Sequence, residues 1–300
     1  MKRMTALLLA VNLCLAFISG CSRPEEFVIT AEKITFEEAL LTQDEFGKAF
    51  FAVHGDIIYV LIEGSVKQYR LKEDRIVFEK NLPHSTEFDY IFTDSSGTLY
   101  ASSMENGFTA FRDGEVIFTY TECAQLTVHP SGDWGISWFV SSSVRVVRLD
   151  FSSIGSDSIS YDEVSIITSL NINDDHIIIA GTTLSGETNA VFVYDEADNK
   201  LKLTMGDKKF GEPGHMGFVT AVAETKNGYM ALDANMRTAV FWASDGTYIR
   251  TMEAAELFGT VYPWLCTAVT MPDGSILVGL TDVPAGGSEK EFMIYRITGF

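Results

Sequence analysis

The stretch that decides the fold covers residues 211–252 and reads GEPGHMGFVTAVAETKNGYMALDANMRTAVFWASDGTYIRTM. It contains four runs with strand-forming composition, VTAVA, GYMALD, TAVFWA and TYIRTM; turn residues at 226–228 lie between the first and second runs, and Asp245 and Gly246 lie between the third and fourth. Short runs joined by tight turns predict one four-stranded antiparallel sheet. Such a sheet cannot cover both of its faces alone, so we expect further copies of the unit beside it.

Related units are found along the rest of the chain. Each has a strand, a turn residue and a second strand, and another β-rich run follows shortly afterwards. Successive turn residues are separated by 35 to 53 residues, which is the spacing of propeller blades with loops of variable length. The turn residues are Gly55, Gly97, Gly132, Asp175, Gly228 and Gly274.

These six anchors predict an all-β fold, a six-bladed β-propeller of four-stranded antiparallel blades over residues 27–300. The last unit has only three strands before the chain ends at Phe300. An open edge strand is a liability in a sheet. We therefore expect residues 27–36, FVITAEKITF, to supply the outer strand of the last blade and so close the ring.

The N-terminus has the pattern of an export signal. Lys2 and Arg3 precede an apolar run over residues 6–17, and Ile18, Ser19, Gly20 and Cys21 follow it. The last four residues resemble the lipobox of bacterial lipoproteins. The resemblance implies a signal peptide at 1–20, a lipid on Cys21 and a tether at 21–26. An ordinary signal peptide or a single membrane anchor is the alternative. We therefore expect an exported lipoprotein of the bacterial cell envelope, and because Ser22 rather than aspartate follows the cysteine, we expect it at the outer membrane if the bacterium has two membranes.

The charge of the chain excludes one class of partner. It has 22 basic and 41 acidic residues and a formal charge of −19. Loss of Lys2 and Arg3 with the leader makes the mature chain still more acidic. Such a surface repels phosphate backbones, so we expect no nucleic-acid partner. Contact with the membrane is expected only through the N-terminal lipid.

The decisive stretch also carries a family resemblance. Gly211, Pro213, Gly214 and Phe218 are followed by Asp233, Asn235 and Arg237, and then by Asp245 and Gly246. This pattern resembles an NHL repeat. The other units lack Asp-x-Asn-x-Arg, so the wider likeness is to six-bladed, TolB-like or NHL-like propeller lipoproteins. The resemblance implies that Asp233 and Arg237 brace a loop.

Sequence motifs with a defined catalytic mechanism are absent, which favours a non-enzymatic protein. Loops between blades and loops between second and third strands share one face of a propeller. That face is the expected ligand site, and Trp264 is a candidate for stacking on a carbohydrate or peptide. The candidate ligand-binding residues on it are His84, Glu87, Glu122, Asp162, His215, Asp233 and Trp264.

Two functions fit these residues, and a third hypothesis is a purely structural partner of an envelope complex. The first is a lipid-anchored binding module for an envelope protein, peptide or glycan, which needs no cofactor. The alternative is a metal-dependent hydrolase resembling six-bladed gluconolactonases, in which the carboxylates and histidines would hold a divalent cation. The two differ in whether Glu87, Glu122, Asp162, His215 and Asp233 converge on the propeller axis.

Two cysteines remain after Cys14 leaves with the leader and Cys21 takes the lipid. Cys123 and Cys266 fall in the first strands of the third and sixth units. Opposite blades hold their inner strands farther apart than the roughly 7 Å between Cα atoms that a disulfide tolerates. We therefore expect no disulfide between Cys123 and Cys266.

Overall fold

The computed structural model describes residues 28–43, 49–83, 87–121, 125–138, 146–152, 155–283 and 289–300. This part of the chain contains strands β1 to β25 and one short helix, α1 (Ala254–Phe258). Within the described ranges, no helix has the length and apolar character of a membrane span. The predicted signal peptide, Cys21 and the tether lie outside the described residues.

Four separate antiparallel sheets of four strands cover residues 90–253, and in each of them the strands pair in chain order. The 211–252 stretch provides the last of these sheets, as its sequence predicts. The strands are β7 (Tyr90–Thr93), β8 (Leu99–Ser103), β9 (Gly107–Arg112) and β10 (Glu115–Tyr120); β11 (Gln125–Val128), β12 (Trp134–Trp138), β13 (Val146–Asp150) and β14 (Gly155–Ile159); β15 (Val164–Ile172), β16 (His176–Thr183), β17 (Asn189–Asp195) and β18 (Leu201–Met205); and β19 (Val219–Thr225), β20 (Gly228–Asp233), β21 (Thr238–Ala243) and β22 (Tyr248–Glu253).

The two ends of the chain share a fifth, nine-stranded sheet. Its strands are β1 (Thr30–Phe36), β2 (Leu40–Thr42), β3 (Ala49–His54), β4 (Ile57–Ile62), β5 (Ser65–Lys72) and β6 (Arg75–Asn81) from the N-terminal side, and β23 (Trp264–Thr270), β24 (Ile276–Asp282) and β25 (Lys290–Thr298) from the C-terminal side. The strand order is β23-β24-β25-β1-β6-β5-β4-β3, and β2 pairs with β25 beside β1. The sequence predicts separate first and last blades, whereas the structure joins them in one sheet.

The first strands of the units lie side by side around a closed cycle. β3 contacts β7, β7 contacts β11, β11 contacts β15, β15 contacts β19, β19 contacts β23, and β23 contacts β3. The sheets therefore surround a common axis with their first strands innermost. This arrangement is an all-β propeller of four-stranded antiparallel blades.

The predicted anchors fall in the turns between first and second strands. Gly132 shows why one of them is glycine: its φ is +76°, and an added Cβ would lie 2.3 Å from the Asp94 carboxylate. Gly228, at φ +156°, leaves only 2.0 Å between such a Cβ and the backbone oxygen of Trp242. A side chain at either position would clash, so these turns depend on glycine.

The N-terminal strand closes the ring, as the sequence predicts. Thr30 to Ile34 pair antiparallel with Thr298 to Ile294 of β25. Thr35 and Phe36 then leave β25 and pair in parallel with Arg75 and Ile76 of β6. The ring of Phe36 packs 5.3 Å from that of Tyr69 and 6.1 Å from that of Phe292, which ties the first unit to the last.

The core consists of apolar layers between neighbouring sheets. One layer joins the β19–β22 sheet to β23–β25 and contains Phe241, Leu265 and Tyr295. Cys266 lies in β23, is 3% exposed, and directs its thiol to the backbone oxygen of Trp264 at 3.3 Å. Cys123 lies outside the described residues, so the absence of a Cys123–Cys266 disulfide stays a prediction.

The closing strand should carry a large share of the stability. Ile34 is 4% exposed in the layer that includes Phe36 and Phe292. We expect Ile34→Ala to lower the free energy of unfolding by about 2–5 kcal/mol, since it leaves a cavity in this layer. Chemical denaturation measures the change. Thr35→Ala, at an exposed position of the same strand, is the matched control. Equal midpoints for the two variants would contradict a stabilising role for β1.

Candidate functional site

Strand direction places the predicted ligand residues on one face. Strands in each sheet alternate in direction, so the loops that follow second and fourth strands emerge at the same end. Glu87, Asp162 and His215 lie in loops that lead from one unit to the next, while Asp233 ends β20 and Trp264 begins β23. His84 and Glu122 lie outside the described residues. We call this end of the propeller the loop face.

An open cavity of about 1180 Å³ lies on the loop face between the β19–β22 sheet and β23–β25. Three aromatic residues contribute to its wall. Tyr262 is 70% exposed, Phe218 is 39% exposed, and the half-buried Trp264 has its ring 6.5 Å from that of Phe218. The polar and charged lining residues are Asn235, Arg237, Thr260, Thr281, Asp282 and Lys290.

Asp233 holds the loops that form this cavity. Its side chain is completely buried and accepts hydrogen bonds from the backbone N–H groups of Gly217 and Phe218, on the loop before β19. It also accepts from the N–H groups of Asn235 at 3.0 Å and Met236 at 2.9 Å, on the loop after β20. With four backbone donors on one carboxylate, Asp233 acts as a positioning residue for the cavity wall.

The rest of the Asp-x-Asn-x-Arg pattern completes this wall. Gly217 has no room for a side chain, because an added Cβ would lie 2.9 Å from the Asn235 amide nitrogen. Arg237 adopts a left-handed backbone conformation at φ +56°, and its carbonyl accepts a hydrogen bond from the Ala254 N–H at 2.9 Å. Its guanidinium lies 4.6 Å from the centre of the Tyr262 ring, a cation–π contact at the surface.

The remaining predicted residues do not join this cavity. His215 donates from Nδ1 to the backbone oxygen of Lys208 at 2.9 Å, and its ring packs edge-on against Phe210 at 5.5 Å. Glu87 and Asp162 are exposed in their loops. Next to Asp162, burial raises the pKa of Tyr161 well above its ordinary value, so this phenol stays protonated. The structure thus brings together Asp233 and Trp264 and leaves Glu87, Asp162 and His215 apart.

A metal centre finds no support among the residues that the structure describes. No three His, Cys, Asp or Glu side chains in these ranges are arranged to hold a metal ion. Asp233 already takes four backbone donors, and His215 is engaged with a carbonyl. The convergence on the axis that the hydrolase alternative requires is therefore not observed for Glu87, Asp162, His215 and Asp233.

A smaller cavity of about 430 Å³ opens on the opposite face, among turns between first and second strands. His176 Nδ1 lies 3.1 Å from Glu224 Oε1, and Asn173 donates its side-chain amide to the same carboxylate. Thr270 donates to the backbone oxygen of Glu224 at 2.6 Å. These contacts cross from one sheet to the next, so they hold neighbouring sheets together.

Sequence reasoning missed the charged part of the cavity. The family resemblance gives Arg237 a bracing role, and the sequence assigns no individual role to Lys290 or Asp282. Their place in the cavity wall depends on how three loops meet, which spacing along one chain does not reveal. The stacking candidate Trp264 was the signal that did point here.

Comparisons with known proteins identify the fold. No protein-family profile matches this chain, and no curated protein matches it in sequence. Among solved structures it is similar to Kuenenia stuttgartiensis hydrazine synthase, with a TM-score of 0.58 and 14% identity over 76% of this chain and 79% of the other. At these identities the likeness shows the fold alone.

Two further neighbours are similar over more of the chain. The WD40 β-propeller domain of Doa1 has a TM-score of 0.55 and 12% identity, covering 89% of this chain and 97% of that domain. A chain of the mitotic checkpoint complex has a TM-score of 0.53 and 15% identity, covering 90% and 85%. The protein is a β-propeller with a fold similar to WD40 domains. A closer relation to NHL-like or TolB-like propellers stays a prediction.

The Asp233 contacts make a direct prediction. In Asp233→Asn the amide would retain one acceptor oxygen and turn an NH₂ group toward backbone donors. We expect a loss of at least about 2 kcal/mol of unfolding free energy, because buried N–H groups lose their acceptor. Urea denaturation measures this loss. Asp74→Asn, at an exposed turn, is the control and should have little effect. Similar midpoints for the two variants would contradict the bracing role.

Proposed function

We propose that this protein is a non-enzymatic binding module that holds a protein, peptide or glycan in the loop-face cavity. The observation that carries this proposal is the aromatic wall of Phe218, Tyr262 and Trp264. Binding pockets are commonly concave and largely apolar, with volumes of roughly 300–1,000 Å³. A cavity of about 1180 Å³ has room for several residues of a chain-like ligand. Binding of this kind requires no cofactor.

The architecture supports a rigid platform of six blades. We assign β3–β6 to the first blade and β23–β25 with β1 to the last, so that the nine-stranded sheet contains both. The short parallel pairing of Thr35 and Phe36 with β6 then acts as the join between two otherwise antiparallel blades. Loops on such a scaffold are held in fixed positions, which suits recognition. One structural neighbour belongs to the mitotic checkpoint complex, which agrees with an interaction role.

We further propose that the chain is a lipoprotein of the bacterial envelope, attached through Cys21 and located at the outer membrane. The described chain begins at Val28, and Thr30 pairs with Thr298 at the far end of β25 from the cavity residue Lys290. A lipid close to this end would leave the loop face directed away from the membrane. The cavity would then be open to partners in the surrounding compartment.

A binding test can separate this function from a purely structural propeller. We would probe the detergent-solubilised full chain with arrays of synthetic peptides and of oligosaccharides. We expect retention on one array, lost in Tyr262→Ala and weakened in Trp264→Ala because the aromatic wall is removed. Phe78→Ala, at a 48% exposed aromatic residue on the outer strand β6, should bind as the unmodified chain does. Equal binding by all three variants, or no binding to either array, would refute the proposal.

Lipidation is tested separately. Each acyl methylene buried in a bilayer contributes about 0.8 kcal/mol, so two or three chains should retain the protein in the membrane fraction. Mass spectrometry of the mature N-terminus should find Cys21 as the first residue with a diacylglyceryl group on its sulfur. The variant Cys21→Ser should lack the diacylglyceryl group in the same measurement, because serine has no sulfur to carry it. Cleavage elsewhere, or an unmodified Cys21, would contradict this part of the account.

A further inference from the structure

The charges around the loop-face cavity are the reverse of those of the whole chain. Arg237 and Lys290 are cationic, and Asp282 is the one carboxylate among the described lining residues. The chain as a whole has 22 basic and 41 acidic residues. The described lining of the cavity thus has more positive than negative side chains, although the whole chain is acidic. This local positive charge favours an anionic ligand.

Arg237 is available to bind such a group. Other arginines are engaged with carboxylates: Arg70 with Asp56 and Glu79, Arg148 with Glu196, and Arg250 with Glu256. The exposed Arg237 has no carboxylate of the described residues within 4.0 Å, and its guanidinium contacts the Tyr262 ring. A guanidinium that lies over an aromatic face keeps its N–H donors in its own plane, where they can meet a carboxylate side-on.

The neighbouring wall is suited to apolar side chains rather than to sugar hydroxyls. Besides the aromatic residues it presents Val261 at 62% and Val283 at 44% exposure. The nearest polar groups are largely occupied or covered: Asp282 Oδ1 accepts from the Val283 N–H at 2.8 Å, and Thr260 Oγ1 is buried. Fewer acceptors are therefore left for sugar hydroxyls, which donate hydrogen bonds as well as accept them. An apolar peptide segment makes better use of this surface.

We propose that the cavity binds an extended peptide segment in which an acidic side chain lies beside apolar ones. Its carboxylate contacts the Arg237 guanidinium, with Lys290 on the other side of the cavity adding to the positive potential. The adjacent apolar side chains pack on Trp264 and Phe218. This inference rests on the proposed function, because it specifies the ligand of the same cavity.

Paired peptides test the inference. The probe is a fluorescein-labelled peptide of alternating Glu and Leu, and its partner replaces every Glu with Gln. Fluorescence anisotropy with the full chain should give tighter binding of the Glu peptide, weakened by added salt. We expect Arg237→Ala to reduce affinity for the Glu peptide about tenfold or more and to leave the Gln peptide nearly unchanged, since a charge-assisted hydrogen bond is lost. Arg75→Ala, exposed on β6, should change neither.

The outcomes separate the two proposals. Equal affinity for the Glu and Gln peptides, with binding still lost in Tyr262→Ala, would overturn the acidic ligand and retain the cavity as a peptide site. Unchanged binding of the Glu peptide by both Arg237→Ala and Lys290→Ala would also overturn it. If neither peptide binds while an oligosaccharide does, the acidic-peptide inference fails and the binding module stands with a glycan ligand. Arg237→Lys should restore part of the preference for Glu, because it keeps the charge without the planar fork.

Discussion

The pairing of β1 with β25 is the interaction on which the rest of the structure depends. The last unit has only three strands of its own, and without a fourth much of the edge of β25 would be left open. The N-terminal strand supplies it through five residue pairs from Thr30 to Ile34. Because Thr35 and Phe36 then continue onto β6, one strand joins the two ends of the chain. The first strands can then form the closed cycle around the axis.

Closure also determines where a ligand can bind. With the sheets fixed, loops that leave second and fourth strands meet on one face, and small differences among them decide which pair encloses a cavity. At the end of β20 this difference is Asp233. Its buried carboxylate links the loop before β19 to the loop after β20. Arg237 and Tyr262 then extend this ordered wall toward solvent. One wall of the cavity therefore depends on a single buried acid.

Local features of the sequence predict much of this fold. Glycines such as Gly132 and Gly228 occupy turns that tolerate no Cβ, so these glycines mark the turn positions in the sequence. The missing fourth strand after β25 predicts β1 as its replacement. The pairing of β1 with β6, and of Leu40–Thr42 with the start of β25, was not predicted. Both arise from tertiary packing around Phe36, which residue patterns along the chain do not encode.

The sequence predicts less of the site than of the fold. Asp233 and Trp264 stand in recognisable patterns, and both belong to the cavity region. Glu87, Asp162 and His215 lie on the same loop face as the cavity. They do not come together in one site, because their loops belong to different sheets. Arg237 and Lys290 become neighbours of one cavity only after two loops and a strand end are placed in three dimensions. The sequence does not show which residues meet at the cavity, because their positions are set only when the ring folds.

A designed cross-link tests ring closure most directly. Thr30 Oγ1 and Thr298 Oγ1 are 3.0 Å apart on paired positions of β1 and β25. If the strands pair as described, the double variant with cysteine at both positions should form a disulfide on mild oxidation. Peptide mass spectrometry should detect it, and the melting temperature should rise relative to the reduced protein, since the bond closes a loop of nearly the whole chain. Absence of the cross-link, or a cross-linked protein that melts no later than the reduced one, would contradict closure of the propeller by its N-terminal strand.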